Sequence, residues 1–453
     1  MIPAAFLDRM RDLLGGEFEA FLAALSSPDT HALRAVTKKM PPDRLLSLLP
    51  FRPTPLPFFD RGFLIPEGER PGAHPLHHAG AYYMQDPSAM ATVSALPFPI
   101  EGWRVLDLCA APGGKTGRLS EEIGNTGLLI SNEIVASRAR ILLGNVERLG
   151  IENTVVTNTS PPALAAALPG CFDLAVVDAP CSGEGMFRKY SEAAAEWSPE
   201  GVAAAADRSR RILDDAAKTV SPGGYLLYST CTFAEEENEE TVTHFLATHP
   251  DFRLIPVAPA VAAITADGIH RPGRPEEISL TRRYYPHRAP GEGQYIALMA
   301  REDGPRPRLA AAKPPRTDRR AEAEVRAALG DLLTSPPASP LALLGDTWIA
   351  LPAELPPIPG VLRAGVALGS FAGRTFVPHH HAYTALGDRF LRRLTLSLDD
   401  PRVAAYLRGE EIAADSTLRG FAALCIEGAP TGGVKSSGGI AKNHYPKGLR
   451  EAR

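Results

Sequence analysis

Two cysteines stand where a thiol could do chemistry. Cys181 lies in VVDAPCSGEG (176–185) and Cys231 in YSTCT (228–232), and each follows an apolar run that reads as a β-strand. A thiol just past a strand end, near the start of a helix, suits nucleophilic work, because the positive end of the helix favours the thiolate. In the first of these motifs Asp178 precedes Pro180 and Cys181, so an acid and a thiol leave the same strand together. The other cysteines are Cys109, Cys171 and Cys425. Cys171 and Cys425 read as small buried hydrophobes. No pair has the C-x-x-C spacing of a zinc or redox site, and five thiols make no disulfide framework. The triplet His379-His380-His381 is no metal site, because adjacent side chains diverge and no cysteine or acidic cluster joins them.

A third motif, DLCAAPGGKT (107–116), has the character of a nucleotide site. Its small residues and Gly113-Gly114 let a ligand approach the backbone, and the following helix offers free N–H groups. A phosphate-binding P-loop would need glycine where Cys109 stands, although Gly114-Lys115-Thr116 supplies the end of that motif. An adenosine site instead requires an acid about 20 positions on for the ribose hydroxyls. Glu133 stands 19 residues after Gly114, at the end of the next apolar run. The adenosine reading is the better supported.

These motifs need a sheet edge to gather them. Between Trp103 and about Met299, short apolar runs (WRVLDLC, TGLLISN, NTVVTN, FDLAVVDAP, GGYLLYSTCT) alternate with helix-like segments at 136–150 and 208–220. Such alternation predicts an α/β fold, a mostly parallel sheet with helices on both faces. Residues 1 to about 75 read as mainly helical, with apolar residues near a 3.6 period from Phe6 to Leu25 and a second helix from Pro42 to Leu49. Residues 303–320 carry proline, alanine and charge without periodicity and read as a linker, followed by a second domain richer in short strands. With 453 residues, 44% hydrophobic and 22% charged, the chain is globular, and its 43 prolines cluster in loops. No run is long and apolar enough for a membrane helix, and the charged N-terminus excludes a signal peptide. A cytoplasmic protein is expected. A net charge of −4 hides any nucleic-acid partner from the global count.

DLCAAPGGKT, DAPCSG and YSTCT, in this order and spacing, resemble the Nop/Sun family of RNA cytosine-5 methyltransferases. YYMQDPSAM (82–90) and RYYPHRAPGEGQYIA (283–297) are similar to further family segments. GGVKSSGGIAKNHYPKGLR (432–450) is similar to the end of the RsmF-like branch, which acts on small-subunit (16S) ribosomal RNA. The resemblance implies a Rossmann-like S-adenosylmethionine-dependent domain over 101–302, a helical N-terminal RNA-recognition extension over 1–100, and a PUA-like α+β RNA-binding domain over 321–453. It implies that Cys109, Ala110, Ala111, Pro112, Gly113, Gly114 and Lys115 wrap the cofactor, with Asp178 beside them, and that Glu133 holds its ribose. By the same resemblance Cys231 attacks C6 of cytosine, Asp178 hydrogen-bonds the base near N3, and Cys181 assists product release. The sequence departs from the family at Thr159-Ser160-Pro161, where relatives place an aspartate near adenine, so Ser160 stays outside the site. Gln294-Tyr295 replaces an aromatic pair and is expected to be neutral.

The nucleic-acid signal is local. Lys435, Lys442, Lys447, Arg450 and Arg453, interleaved with His444 and Tyr445, suit phosphate contacts plus base stacking. Arg306, Arg308, Arg316, Arg319 and Arg320 in the linker read as solubilising. The expected partner is ribosomal RNA, free or within the small subunit or an assembly intermediate, and the expected state is a monomer. The alternatives are a transfer-RNA or DNA cytosine-5 methyltransferase, in which Cys181 would be the nucleophile for DNA, and an assembly factor that binds RNA without reaction.

Overall fold

The computed structural model describes residues 2–305, 318–352 and 357–451. At its centre β1 (Arg104–Asp107), β2 (Leu128–Asn132), β3 (Thr154–Thr157), β4 (Phe172–Asp178) and β5 (Val220–Thr230) run parallel in the spatial order 3-2-1-4-5. These are the five apolar runs expected from sequence. Next to β5 lies β6 (Gln294–Arg301), antiparallel to it. The strands are buried on both faces because helices cover both. On one side Leu106, Ile130, Val155, Ala175 and Val177 pack with Leu213, Ala216 and Ala217. On the other, Val105, Leu129, Leu174 and Val176 pack with Leu119 and Ile123. Consecutive residues thus alternate faces, the period of two that a pleated strand imposes.

Three helices matter to the site: α1 (Gly114–Glu122), α2 (Ala136–Leu149) and α3 (Pro199–Thr219). In α2 the buried residues Ala139, Leu142, Val146 and Leu149 recur at helical spacing, and Gly150 ends it at φ 66°. Ser198 starts α3, its hydroxyl accepting from Gly201 N at 3.0 Å. Such a cap stabilises by about 1 kcal/mol.

The N-terminal region carries the helices Ala4–Leu14, Phe18–Leu25 and Pro42–Leu48. It also carries a four-stranded antiparallel sheet (Thr54–Leu56, Phe59–Leu64, Ala32–Ala35, Tyr82–Met84) that a mainly helical reading misses. These strands have three to six residues, too few for alternation to show. The C-terminal region holds one four-stranded and one five-stranded sheet. It also lends a strand to the catalytic sheet: β7 (Val361–Ala364) pairs antiparallel with β3.

Polar bonds tie the three regions together. Lys39, fully buried, donates to Thr384 O and Pro430 O, both at 2.7 Å. Arg363 meets Glu147 at 3.0 Å, and His381 Nε2 lies 3.0 Å from Ile151 O. The histidine triplet is structural, with His379 capping the helix His380–Leu386 and the other two buried.

Two expectations need correction. A helix, Arg319–Gly330, begins inside the segment read as linker, capped by Asp318, and buries Val325 and Leu329. Arg319 and Arg320 are therefore helical, while Arg306, Arg308 and Arg316 lie outside the described residues, as does Arg453. Tyr445 is no stacking residue either. Its ring is buried against Tyr406, His380 and His78, and its hydroxyl lies 3.2 Å from His78 Nδ1. The motif that looked like a tail is mostly sheet, Ala429–Ser437 and Ile440–Asn443, and its exposed cations are Lys435, Lys442 and Lys447.

Candidate active site

Parallel neighbours in register bring the motifs to one edge. Asp178, the last residue of β4, pairs with Ser229 of β5, so the loops after both strands leave the sheet at the same level. Cys181 and Cys231, each a few residues further on, meet with their Sγ atoms 3.2 Å apart, both half-buried. Gly185 closes the loop over them. Its N–H donates to Cys231 O at 2.8 Å, and a Cβ there would meet that oxygen at 2.9 Å. Only glycine permits that approach.

The Cys181 thiol is pushed well above the ordinary range, first by its hydrogen bond with Cys231, then by burial and by the charges of Cys231 and Glu237. Beneath it, Glu237 accepts from Ser182 N at 2.9 Å and from the Ser182 hydroxyl, which itself lies 2.8 Å from Thr232 Oγ1. Burial raises Glu237 to about 7 against those bonds.

Asp178 is held on three sides. Lys115 Nζ lies 2.7 Å from Oδ2, while Oδ1 accepts from Ser229 Oγ at 2.6 Å and from Gln294 Nε2 at 3.1 Å. Gln294 is thus part of the site, contrary to the neutral role expected from sequence. An amide here supplies a donor that a phenylalanine ring could not.

A cavity of about 520 Å³ opens beside this aspartate, within the usual size for a cofactor site. Cys109, Ala110, Ala111, Pro112, Gly114 and Lys115 line it together with Asp178. Gly113 does not line it; at φ 113° it turns the chain into α1. Glu133 also stands outside the lining. It is buried at the end of β2, next to the loop, where Ala110 N donates to Asn132 O at 2.8 Å. Its Oε1 accepts from Val135 N at 2.9 Å. Cys181 lines a neighbouring groove and Cys231 lines neither space.

Several site groups escaped the sequence reading. Asp107 lines the cavity, fully buried; Oδ2 accepts from Thr116 at 2.7 Å and Oδ1 has no partner. Burial raises its carboxyl to about 7, opposed by Thr116 and Lys115. An orphaned buried acceptor beside an open cavity fits a ligand that brings a donor, and an amino-acid ammonium has that chemistry. Ile134, 59% exposed beside Glu133, offers an apolar face for a base. The N-terminal region supplies the opposite wall with Asp29, His31, Tyr83, Gln85 and Asp86. Of these, Tyr83, Gln85 and Asp86 fall in the YYMQDPSAM motif, the one signal that pointed there.

Comparison with known proteins matches this architecture region by region. The family model for 16S rRNA methyltransferase RsmB/F covers residues 95–300, that for the N-terminal domain of 16S rRNA methyltransferase RsmF covers 2–87, and that for the methyltransferase RsmF PUA domain covers 393–451. The ribosomal RNA small subunit methyltransferase F of Erwinia tasmaniensis is 32% identical over 99% of this chain and 96% of its own length. That of Klebsiella pneumoniae is 31% identical with the same coverage. Among solved structures, a methyltransferase homolog from Pyrococcus horikoshii is 28% identical with a TM-score of 0.58, covering 66% of this chain and 94% of that one. NSun6 of Pyrococcus horikoshii, solved with SFG, shares the fold at 20% identity and a TM-score of 0.57, covering 67% of this chain and 99% of that one.

Proposed function

Because this chain belongs to the RsmB/F family of 16S ribosomal RNA methyltransferases, we propose that it forms 5-methylcytosine in small-subunit ribosomal RNA through a covalent bond from Cys231 to C6 of the base. The observation that carries this reading is the pair of thiols 3.2 Å apart on the loops that leave Asp178 and Ser229. A lone nucleophile would need one sulfur. A second in contact suggests a proton to be moved late in the reaction.

S-adenosylmethionine is the cofactor that suits the 520 Å³ cavity, and when bound it supplies an electrophilic methyl group. Cys109 to Lys115 would cradle it, Asp107 would accept from its ammonium, and Glu133 would take the ribose hydroxyls. Cys231 adds to C6, which breaks the ring's conjugation and makes C5 nucleophilic. Asp178 receives the N3 edge, and Lys115 at 2.7 Å holds a proton ready for the charge that develops there. Once Cys231 is bonded to carbon, its thiol hydrogen bond with Cys181, the largest cause of that group's raised range, is gone, and so is its charge. Cys181 can then release its proton to solvent in the groove it lines and, as thiolate, take the C5 proton, while the Cys231–C6 bond breaks by elimination and Cys231 leaves as thiolate.

A transcript of the 16S RNA with 5-fluorocytidine in place of cytidine lacks the C5 proton and stalls the enzyme as its adduct. The expected result is a protein–RNA band stable to denaturing electrophoresis with wild type and none with Cys231→Ala. Methylation by Cys231→Ala at the wild-type rate would refute the assignment.

A further inference from the structure

Two hollows meet at the active site. The cofactor cavity contains Lys115 and Asp178; the second, about 510 Å³, runs past Cys181 and Ser182 toward Trp197 and Arg208. Met186 and Tyr190 line both. Met186 ends the short helical turn Glu184–Met186, and Tyr190 follows it, its N–H donating to Met186 O at 2.8 Å; the turn is anchored by the buried Glu184, which accepts from Trp197 Nε1 at 2.9 Å and Phe233 N at 3.0 Å. The ridge therefore stands on a fixed base.

Tyr190 is 57% exposed on that ridge, and its ring joins none of the aromatic pairs among the described residues. An exposed aromatic ring costs hydration, and nothing in the fold uses this one. Arg208, exposed on α3, likewise has no ion pair among the described residues, although its neighbours Asp207 and Arg210 pair with each other. Glu196 on the groove wall would repel a phosphate, which leaves the Arg208 side for the backbone.

A base reacting with Cys231 must leave its stack, and an extruded base needs a new surface for its face. We propose that the groove is a subsite for the RNA strand flanking the target, in which Tyr190 stacks on the extruded base and Arg208 holds a neighbouring phosphate. Tyr190 and Met186 both touch the space where the cofactor and Asp178 lie and the space leading from Cys181, and of the two only Tyr190 offers a π face. This rests on the cytosine reading above.

The full chain, its Tyr190→Ala, Tyr190→Phe and Arg208→Gln variants, and a 16S RNA transcript test it. Steady-state methylation is read for kcat and KM, cofactor affinity by calorimetry, and adduct yield on the 5-fluorocytidine transcript. Tyr190→Ala should lose roughly 10- to 100-fold in kcat/KM for RNA, the range of base–aromatic stacking, with a smaller change in cofactor affinity. Tyr190→Phe should restore it, since stacking needs the ring and not the hydroxyl. Arg208→Gln should raise KM and flatten the salt dependence by about one phosphate contact, a slope change of roughly 0.7 for single strands. Full activity in Tyr190→Ala, or no rescue in Tyr190→Phe, overturns the subsite alone. A wild type that neither methylates cytosine nor forms the adduct overturns the function reading and the subsite with it.

Discussion

Removing Cys181 separates the two thiols' tasks. Its Sγ is the side-chain atom hydrogen-bonded to Cys231 Sγ, at 3.2 Å. Glu237, a buried acid whose charge acts on Cys181, bonds to Ser182 and to neither sulfur. On the proposed mechanism Cys181→Ala therefore strips the adduct of its direct proton acceptor while leaving the nucleophile in place. A positioned acid–base group is worth about 10²–10⁴ in rate, so adduct resolution should slow by that factor while adduct formation persists. The cost to the fold is small, ~1 kcal/mol for trimming one half-buried sulfur. The assay is a time course with ordinary 16S transcript and S-adenosylmethionine, quenched and run on a denaturing gel. A slowly cleared covalent band with Cys181→Ala, barely visible with wild type, is expected. Clearance at the wild-type rate would remove Cys181 from the proton step. A band lost in Cys181→Ala and retained in Cys231→Ala would show that the roles are reversed.

Glu133→Ala should weaken S-adenosylmethionine binding by about 1–3 kcal/mol, the loss of a charged hydrogen bond; unchanged affinity by calorimetry would put the ribose elsewhere. Asp107 titrates near 7 in the fold against 3.8 unfolded, so the folded state holds the extra proton and stability falls as pH rises from about 4 through 7. The span is about 4 kcal/mol, and Asp107→Asn should abolish that part of the dependence in denaturant titrations at pH 5 and pH 8. Lys435 and Lys442 are cross-strand partners of like charge, which repel unless an anion lies between them. Replacing both by Gln should lower RNA affinity and reduce its salt slope by between one and two contacts. Equal binding at matched salt would exclude that face. Deleting 321–453 is not a clean alternative, because it removes β7 from the catalytic sheet and the acceptors of Lys39.

The five parallel strands were legible because they are buried on both faces and read as apolar runs, and because the loops after β1, β4 and β5 carry compact motifs. The N-terminal sheet was not, since its strands are short and their partners distant: Leu33 pairs with Phe63 and Met84. Gln294 shows the same limit from the other side. It lies 116 residues from Asp178, and only the antiparallel seating of β6 on β5 brings its amide to the carboxylate.

What the sequence determined by itself was local. Residue type and spacing named two thiols, an acid and a glycine turn, and the alternation of runs and helices put them on a sheet edge. Tertiary structure decided which of these touch. The sulfur pair meets because neighbouring parallel strands end in register. Asp107 becomes an orphaned acid because the packed loop takes water from it. Tyr445 passes from candidate RNA contact to core because His78, His380 and Tyr406, far apart in the chain, close around its ring. Chemistry follows residue type, but proximity and burial depend on contacts between residues far apart in the chain, and no local pattern encodes those.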